Sequence, residues 1–159
     1  MHGPPAARAR EARREDVDEL AALEQRCFSG DRLSARQYRR HVGSPSAAVL
    51  VARGDGGLLG SAVLLFRRGS RVARLYSIAV DPASRRRGLG ASLLIAAEAA
   101  AGARGASVLR LEVRQDNAAA IRLYVEHGYQ RIGAREGYYE DGAAAWRYER
   151  ALGDRGRAP

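Results

Sequence analysis

Residues 47–113 alternate between element types in a way that few folds accommodate. Three runs rich in Val, Leu and Ala, over 47–53, 58–67 and 71–80, are cut by the turns Gly54-Asp55-Gly56-Gly57 and Arg68-Gly69-Ser70. Short apolar runs bounded by Gly, Asp and Ser read as strands, and such tight turns join antiparallel neighbours. A loop over 81–87 leads into an Ala/Leu helix over 89–103, closed by Gly105, and then to a strand over 108–113. A meander followed by a helix and a further strand implies a mixed sheet with helices packed on it.

The flanks extend this pattern. Residues 6–12 read as a short edge strand. From Asp16 the chain turns helical, with Val17, Leu20, Ala21, Leu23, Glu24 and Cys27 at three-and-four spacing and Gly30 as the expected stop. Ser34 is a good N-cap for a second helix through residue 42. Past the fourth strand, a helix is expected over 118–127, with Gly128 at its C′ position. Strands over 129–135 and 144–150 then enclose a Tyr/Gly-rich loop. The order is β-αα-βββ-α-β-α-ββ, an α/β arrangement with an α+β mixed sheet. At 159 residues the chain is one domain's worth of material. That domain is expected over 6–152, between loose ends at 1–5 and 153–159.

Several function classes fall away. No apolar run approaches the ~20 residues of a membrane helix, and the longest low-charge stretch, 88–102, contains Glu98. An Arg-rich start without an apolar core does not read as a secretory signal. One cysteine, Cys27, allows no internal disulfide, and His2, His41 and His127 lack ligand spacing. A cytoplasmic, metal-free protein without a membrane partner is expected. The net charge of +9 comes from 27 basic and 18 acidic residues. Every basic residue is Arg, and Arg for Lys beside abundant Ala reads as a GC-rich genome. Part of the excess lies in 1–14 and 151–159; the remainder suits an anionic partner, such as a phosphorylated cofactor, an acidic peptide or RNA, but a solvated Arg-rich surface is the commoner explanation.

The chemistry is concentrated between residues 75 and 139. The run Tyr76-Ser77-Ile78-Ala79-Val80-Asp81-Pro82 is followed by Arg85-Arg86-Arg87-Gly88-Leu89-Gly90 and a helix. A strand that enters a helix through a glycine turn leaves free backbone N–H groups at the positive end of the helix dipole, a site for phosphate. Taken alone the G-x-G signal is weak, and a plain helix-start turn beside solvated arginines competes with it. Neither the Walker pattern nor the full dinucleotide fingerprint is present, since Leu93 stands where a third glycine would be. Further on, Leu109, Leu111 and Val113 share one strand face, and Arg110, Glu112 and Arg114 the other. Glu112 can be a member of a surface ion-pair ladder, Asn117 a helix N-cap, and Tyr124 a core tyrosine.

Together, R-x-x-G-x-G after a strand ending I-A-V-D-P, and N-x-A-A-I-x-L-Y-x-x-x-G-Y after L-E-V-R, resemble the GNAT acetyltransferases. The second half is most similar to their RimI-type branch, the N-alpha-acetyltransferases of protein amino termini. The resemblance implies a GNAT fold with a splayed central strand pair and acetyl-CoA as co-substrate. It implies that Ile78, Ala79 and Val80 offer backbone groups to the pantetheine arm. Arg85, Arg86, Arg87, Gly88, Leu89, Gly90 and Ala91 match the pyrophosphate-binding positions, and Asn117 matches a cofactor contact. Glu112 matches the general base, acting directly or through water, and Tyr124 the general acid beside the coenzyme sulfur. An N–H of Ile78 or Val80 would hold the oxyanion. Tyr138 and Tyr139 resemble a pair that forms the slot for the acceptor's first residues. Tyr76, read as facing the same side as Ile78 and Val80, would line that slot.

Two departures bear on the acceptor. Where RimI-type enzymes commonly carry a Pro-Trp segment, this chain has Phe28-Ser29-Gly30-Asp31-Arg32-Leu33-Ser34. The last strand carries Trp146 and Tyr148, expected to alter the acceptor pocket. The implied partner is a peptide or protein amino terminus. A small amine is the alternative acceptor, and a non-catalytic module that senses acetyl-CoA or docks on RNA is the alternative class. Nucleic acid is the less expected partner, and a homodimer is left open.

Overall fold

A computed structural model describes residues 8–85 and 87–153. The strands are β1 (Ala9–Glu11), β2 (Ala47–Gly54), β3 (Gly57–Phe66), β4 (Val72–Val80), β5 (Val108–Arg114), β6 (Gln130–Arg135) and β7 (Ala145–Ala151). The helices are α1 (Val17–Cys27), α2 (Ala35–His41), α3 (Leu89–Ala103) and α4 (Ala118–Glu126). One seven-stranded sheet runs in the order β1-β2-β3-β4-β5-β7-β6. All its neighbours are antiparallel except β4 and β5. The expected element order and mixed sheet are therefore present.

Local chemistry sets the boundaries. Ser34 caps α2 by accepting from Gln37 N–H, and Gln37 reaches back to Ser34 N–H at 2.8 Å, closing a capping box. Gly128, at φ 88°, follows α4 in the left-handed conformation that a C′ glycine supplies. Gly30 does not stop α1. That helix ends at Cys27 with Phe28 already extended, and the left-handed residue of the following loop is Asp31, at φ 54°.

Two apolar cores flank the sheet. Leu93, Leu94 and Ala97 of α3 and Tyr124 of α4 pack with Leu64, Leu75, Leu109 and Leu111 on one face. Leu20 and Leu23 of α1 and Tyr38 of α2 pack with Val49, Val51 and Val63 on the other. The α1–α2 layer covers β2 to β4 but not the β5–β7 half of that face. Polar residues occupy the uncovered half: Arg110 with Glu149, and Glu112 with Arg74 and Arg147.

Candidate active site

The site begins where two parallel strands part. β4 and β5 are paired only from Val72–Val108 to Leu75–Leu111. Just beyond, Leu75 faces Leu64 and Ser77 faces Val63, so Tyr76 is the extra residue of a β-bulge. The bulge adds twist at the point of divergence, and a cleft of about 1070 Å³ opens there. Asp81 N–H donates to Leu59 O at 2.7 Å. By antiparallel alternation Ala79 therefore turns its backbone to β3, while Ile78 and Val80 turn theirs to the side that β5 has left.

The bulge also reverses side-chain alternation, and one expectation fails for that reason. Tyr76 does not share a face with Ile78 and Val80. Those two pack against the α3-side core, whereas the Tyr76 ring lies 5.5 Å from the Arg74 guanidinium, on the face that carries Glu112. A second correction concerns β7. Trp146 and Tyr148 belong to the α3-side core, and Arg147 between them points to the Glu112 face.

Glu112, Asn117, Tyr124, Tyr138 and Tyr139 all line the cleft, with Tyr76 and Ile78. Glu112 is almost fully buried, and its partners are not its strand neighbours Arg110 and Arg114. Arg74 Nε donates to its Oε2 at 3.0 Å, and Arg147 Nε lies 3.7 Å from Oε1. That Arg147 nitrogen is buried without a hydrogen-bond partner among the described residues. Arg110 and Arg114 are engaged elsewhere, with Glu149 and with Asp116 and Asp141. Tyr124 is 7% exposed, edge-on to Tyr129 at 5.8 Å, and its hydroxyl bonds to no described residue. Burial pushes its phenol well above the ordinary tyrosine range, so it stays protonated at neutral pH.

The Tyr138 and Tyr139 rings meet edge to face at 4.9 Å. Tyr138 Oη is bonded to Arg74, and Tyr139 sits under Arg114 with its phenol pushed up by burial to about 12. Asn117 caps α4, accepting from Ala120 N–H at 3.2 Å.

The glycine turn lies outside this cleft, on the α4 side of it. Gly88, at φ 75°, caps α3 without a side-chain bond, and a Cβ there would meet no described residue within 4 Å. The N–H groups of Leu89 and Ala91 meet no acceptor among the described residues. A Cβ on Gly90 would lie 3.4 Å from Leu123 of α4, so the turn abuts that helix closely. Open space over unpaired N–H groups, with Arg85 and Arg87 exposed beside them, fits a diphosphate. Arg86 lies outside the described residues.

Sequence reasoning missed four participants. Arg74 is the one charge in the strand over 72–80, which was the available signal. Glu24 is buried, lines the cleft and accepts from Tyr38 Oη at 2.5 Å and from Leu33 N–H at 3.0 Å. Desolvation raises its carboxyl pKa against those two bonds. Asp31 and Glu140 exchange backbone-to-carboxylate bonds of 3.3 to 3.4 Å, joining the α1–α2 and β6–β7 loops. Their separation in sequence hides that pairing.

The Acetyltransferase (GNAT) family model matches residues 17–129. The chain belongs to the GNAT acetyltransferase family. Over 145 residues it is 39% identical to the N-alpha-acetyltransferase RimI of Mycobacterium tuberculosis, covering 89% of this chain and 90% of that protein. A shorter match, 46% identical over 67 residues, is to the [ribosomal protein bS18]-alanine N-acetyltransferase of Escherichia coli, covering 42% and 45% of the two chains. The crystal structure of the ribosomal-protein-S18-alanine N-acetyltransferase from Escherichia coli superposes with a TM-score of 0.80 at 28% identity, over 91% of this chain and 92% of that one. This GNAT chain is thus an acyltransferase of the N-acetyltransferase type, and its family uses acetyl-CoA. Among the described residues, no His/Cys/Asp/Glu group could hold a metal ion, and no helix is long and apolar enough to cross a membrane.

Proposed function

We propose that this acetyltransferase modifies the α-amino group of a protein or peptide N-terminus in the cytoplasm, by direct attack in the cleft at the β4–β5 fork. One observation carries the reading. Glu112 from β5 and Tyr124 from α4 line the same cleft, one a buried carboxylate and the other an unengaged, protonated phenol.

Acetyl-CoA, when bound, supplies an activated acyl thioester. The main-chain N–H groups of Gly88, Leu89, Gly90 and Ala91 would hold its diphosphate, with Arg85, Arg86 and Arg87 adding charge. Ile78 and Val80 would offer backbone groups along the opened edge of β4, and one of their N–H groups would steady the developing oxyanion. Asn117 would contact the coenzyme while still capping α4.

Glu112 takes the proton released by the amine, directly or through water, on Oε1, the oxygen to which Arg74 does not donate. Tyr124 gives its proton to the departing sulfur. The acceptor's first residues lie against Tyr76, Tyr138 and Tyr139. An amine must be neutral to attack. At pH 7 roughly a tenth of an α-amine is neutral, against under about a thousandth of a lysine side chain. That difference favours the α-amine where a single buried carboxylate serves as base. The likeness to RimI and to a bS18-alanine acetyltransferase supports the same acceptor class.

Thioester consumption against a panel of N-terminal peptides, lysine peptides and small amines tests this. Peptides with a free amino terminus should exceed lysine peptides and small amines in kcat/KM by about tenfold or more. A small amine or a lysine peptide at the head of the panel would overturn the acceptor reading.

A further inference from the structure

Arg74 stands at the fork itself. Its backbone is fixed on both sides, paired with Leu65 of β3 and Arg110 of β5, one residue before the last β4–β5 pair. Its side chain reaches past the fork. Nε donates to Glu112 Oε2 at 3.0 Å, Nη2 donates to Tyr138 Oη, and the guanidinium lies 5.5 Å from the Tyr76 ring and 5.9 Å from the Tyr138 ring. Glu112 lies beyond the last residue at which β5 pairs with β4, and Tyr138 is on the loop between β6 and β7. A rigidly anchored arm therefore joins two groups, Glu112 and Tyr138, that the sheet ladder does not tie to β4.

We propose that Arg74 is a positioning residue for the acceptor half of the reaction. By occupying Oε2 it fixes the Glu112 rotamer, so that the incoming amine would meet Oε1, the oxygen beside which Arg147 Nε lies at 3.7 Å. By holding Tyr138 Oη it keeps that ring as a wall of the acceptor slot. This deepens the reading of the cleft given above and rests on it. Arginine suits the role because one planar fork serves a carboxylate and a phenol at once, whereas a lysine ammonium reaches one of them well.

The test is steady-state kinetics on the full chain with the best acceptor of the panel, beside thermal midpoints. Arg74→Met should raise the acceptor KM about tenfold and lower kcat, the size expected for a lost charge-assisted hydrogen bond. The KM for acetyl-CoA should stay unchanged, because Arg74 does not line the diphosphate turn. Arg74→Lys should recover only part of the loss. Adding Tyr138→Phe to Arg74→Met should cost little more in acceptor KM, because the two act through one contact. If Arg74→Met fails to fold, Arg74→Gln keeps a donor at the fork and takes its place. An unchanged acceptor KM, an equal rise in both KM values, or full additivity with Tyr138→Phe would overturn the proposal. Glu112→Gln, run in parallel, separates the two readings. Wild-type turnover there, with a raised acceptor KM in the Arg74 variant, would end the base assignment and leave the positioning of Tyr138 standing.

Discussion

At the residue scale, the proposed division of the proton work rests on the environments of two side chains. Tyr124 is largely withdrawn from water and its hydroxyl bonds to no described residue, which keeps its phenol protonated. Glu112 has lost water but gained a guanidinium, which permits a buried carboxylate. Tyr124→Phe should therefore lower kcat about a hundredfold while leaving acetyl-CoA affinity unchanged, as measured by calorimetry with the coenzyme. Unaltered turnover would remove Tyr124 from the acid role. Glu112→Gln keeps the shape and the acceptor oxygen but not the basicity. It should flatten the acid-side rise of the pH–rate profile, and a profile matching wild type would count against the base assignment.

At the element scale, the position of α3 depends on a glycine in β3. A Cβ on Gly60 would lie 2.7 Å from Leu93 Cδ1 and 2.9 Å from the Ala79 carbonyl oxygen. The leucine tip can rotate, but the backbone oxygen cannot move without disturbing the β3–β4 ladder. Gly60→Ala should cost about 2 kcal/mol of stability by urea denaturation. It should also weaken acetyl-CoA binding, because α3 carries the Gly88 turn at its start. A variant as stable as wild type would show that α3 is free to shift. The bulge at Tyr76 is the matching device in β4. One inserted residue lies where the pairing with β5 ends, and it separates the face that Tyr76 shares with Arg74 from the face of Ile78 and Val80.

At the scale of the whole molecule, the first strand and first helix are fastened to the sheet through one buried acid. Asp16, 2% exposed, is bound by Arg10 of β1, by Arg13 N–H and by Arg53 of β2. The Arg10 hydrogen bond is the main influence that holds its carboxyl far below the ordinary carboxylate range, against the opposing effect of burial. A depressed folded-state pKa stabilises the fold above the unfolded pKa, near ~3.9, and that contribution fades as pH falls toward the folded value. Asp16→Asn should thus lose about 2 kcal/mol at pH 7, a figure reduced because both arginines are partly exposed. The difference between variant and wild type should shrink below about pH 4 in urea midpoints. A difference constant from pH 7 to pH 3 would sink this account.

The order of strands and helices was legible because it rests on local physics. Gly54-Asp55-Gly56-Gly57 and Arg68-Gly69-Ser70 mark turns, Ser34 a cap, and the spacing of apolar residues a period, each within a few residues of chain. The acetyltransferase resemblance was legible for a related reason, since its two motifs are each contiguous. What no local window contains is which strands lie side by side and where a ladder ends. Arg74 meets Glu112, Asp31 meets Glu140, and Glu112 passes over its own neighbours Arg110 and Arg114 for arginines on β4 and β7, because pairing across the sheet sets those distances. The face of Tyr76 was misread for the same reason. Strand alternation is a local rule, but the bulge that interrupts it is set by β3 and by the divergence of β5.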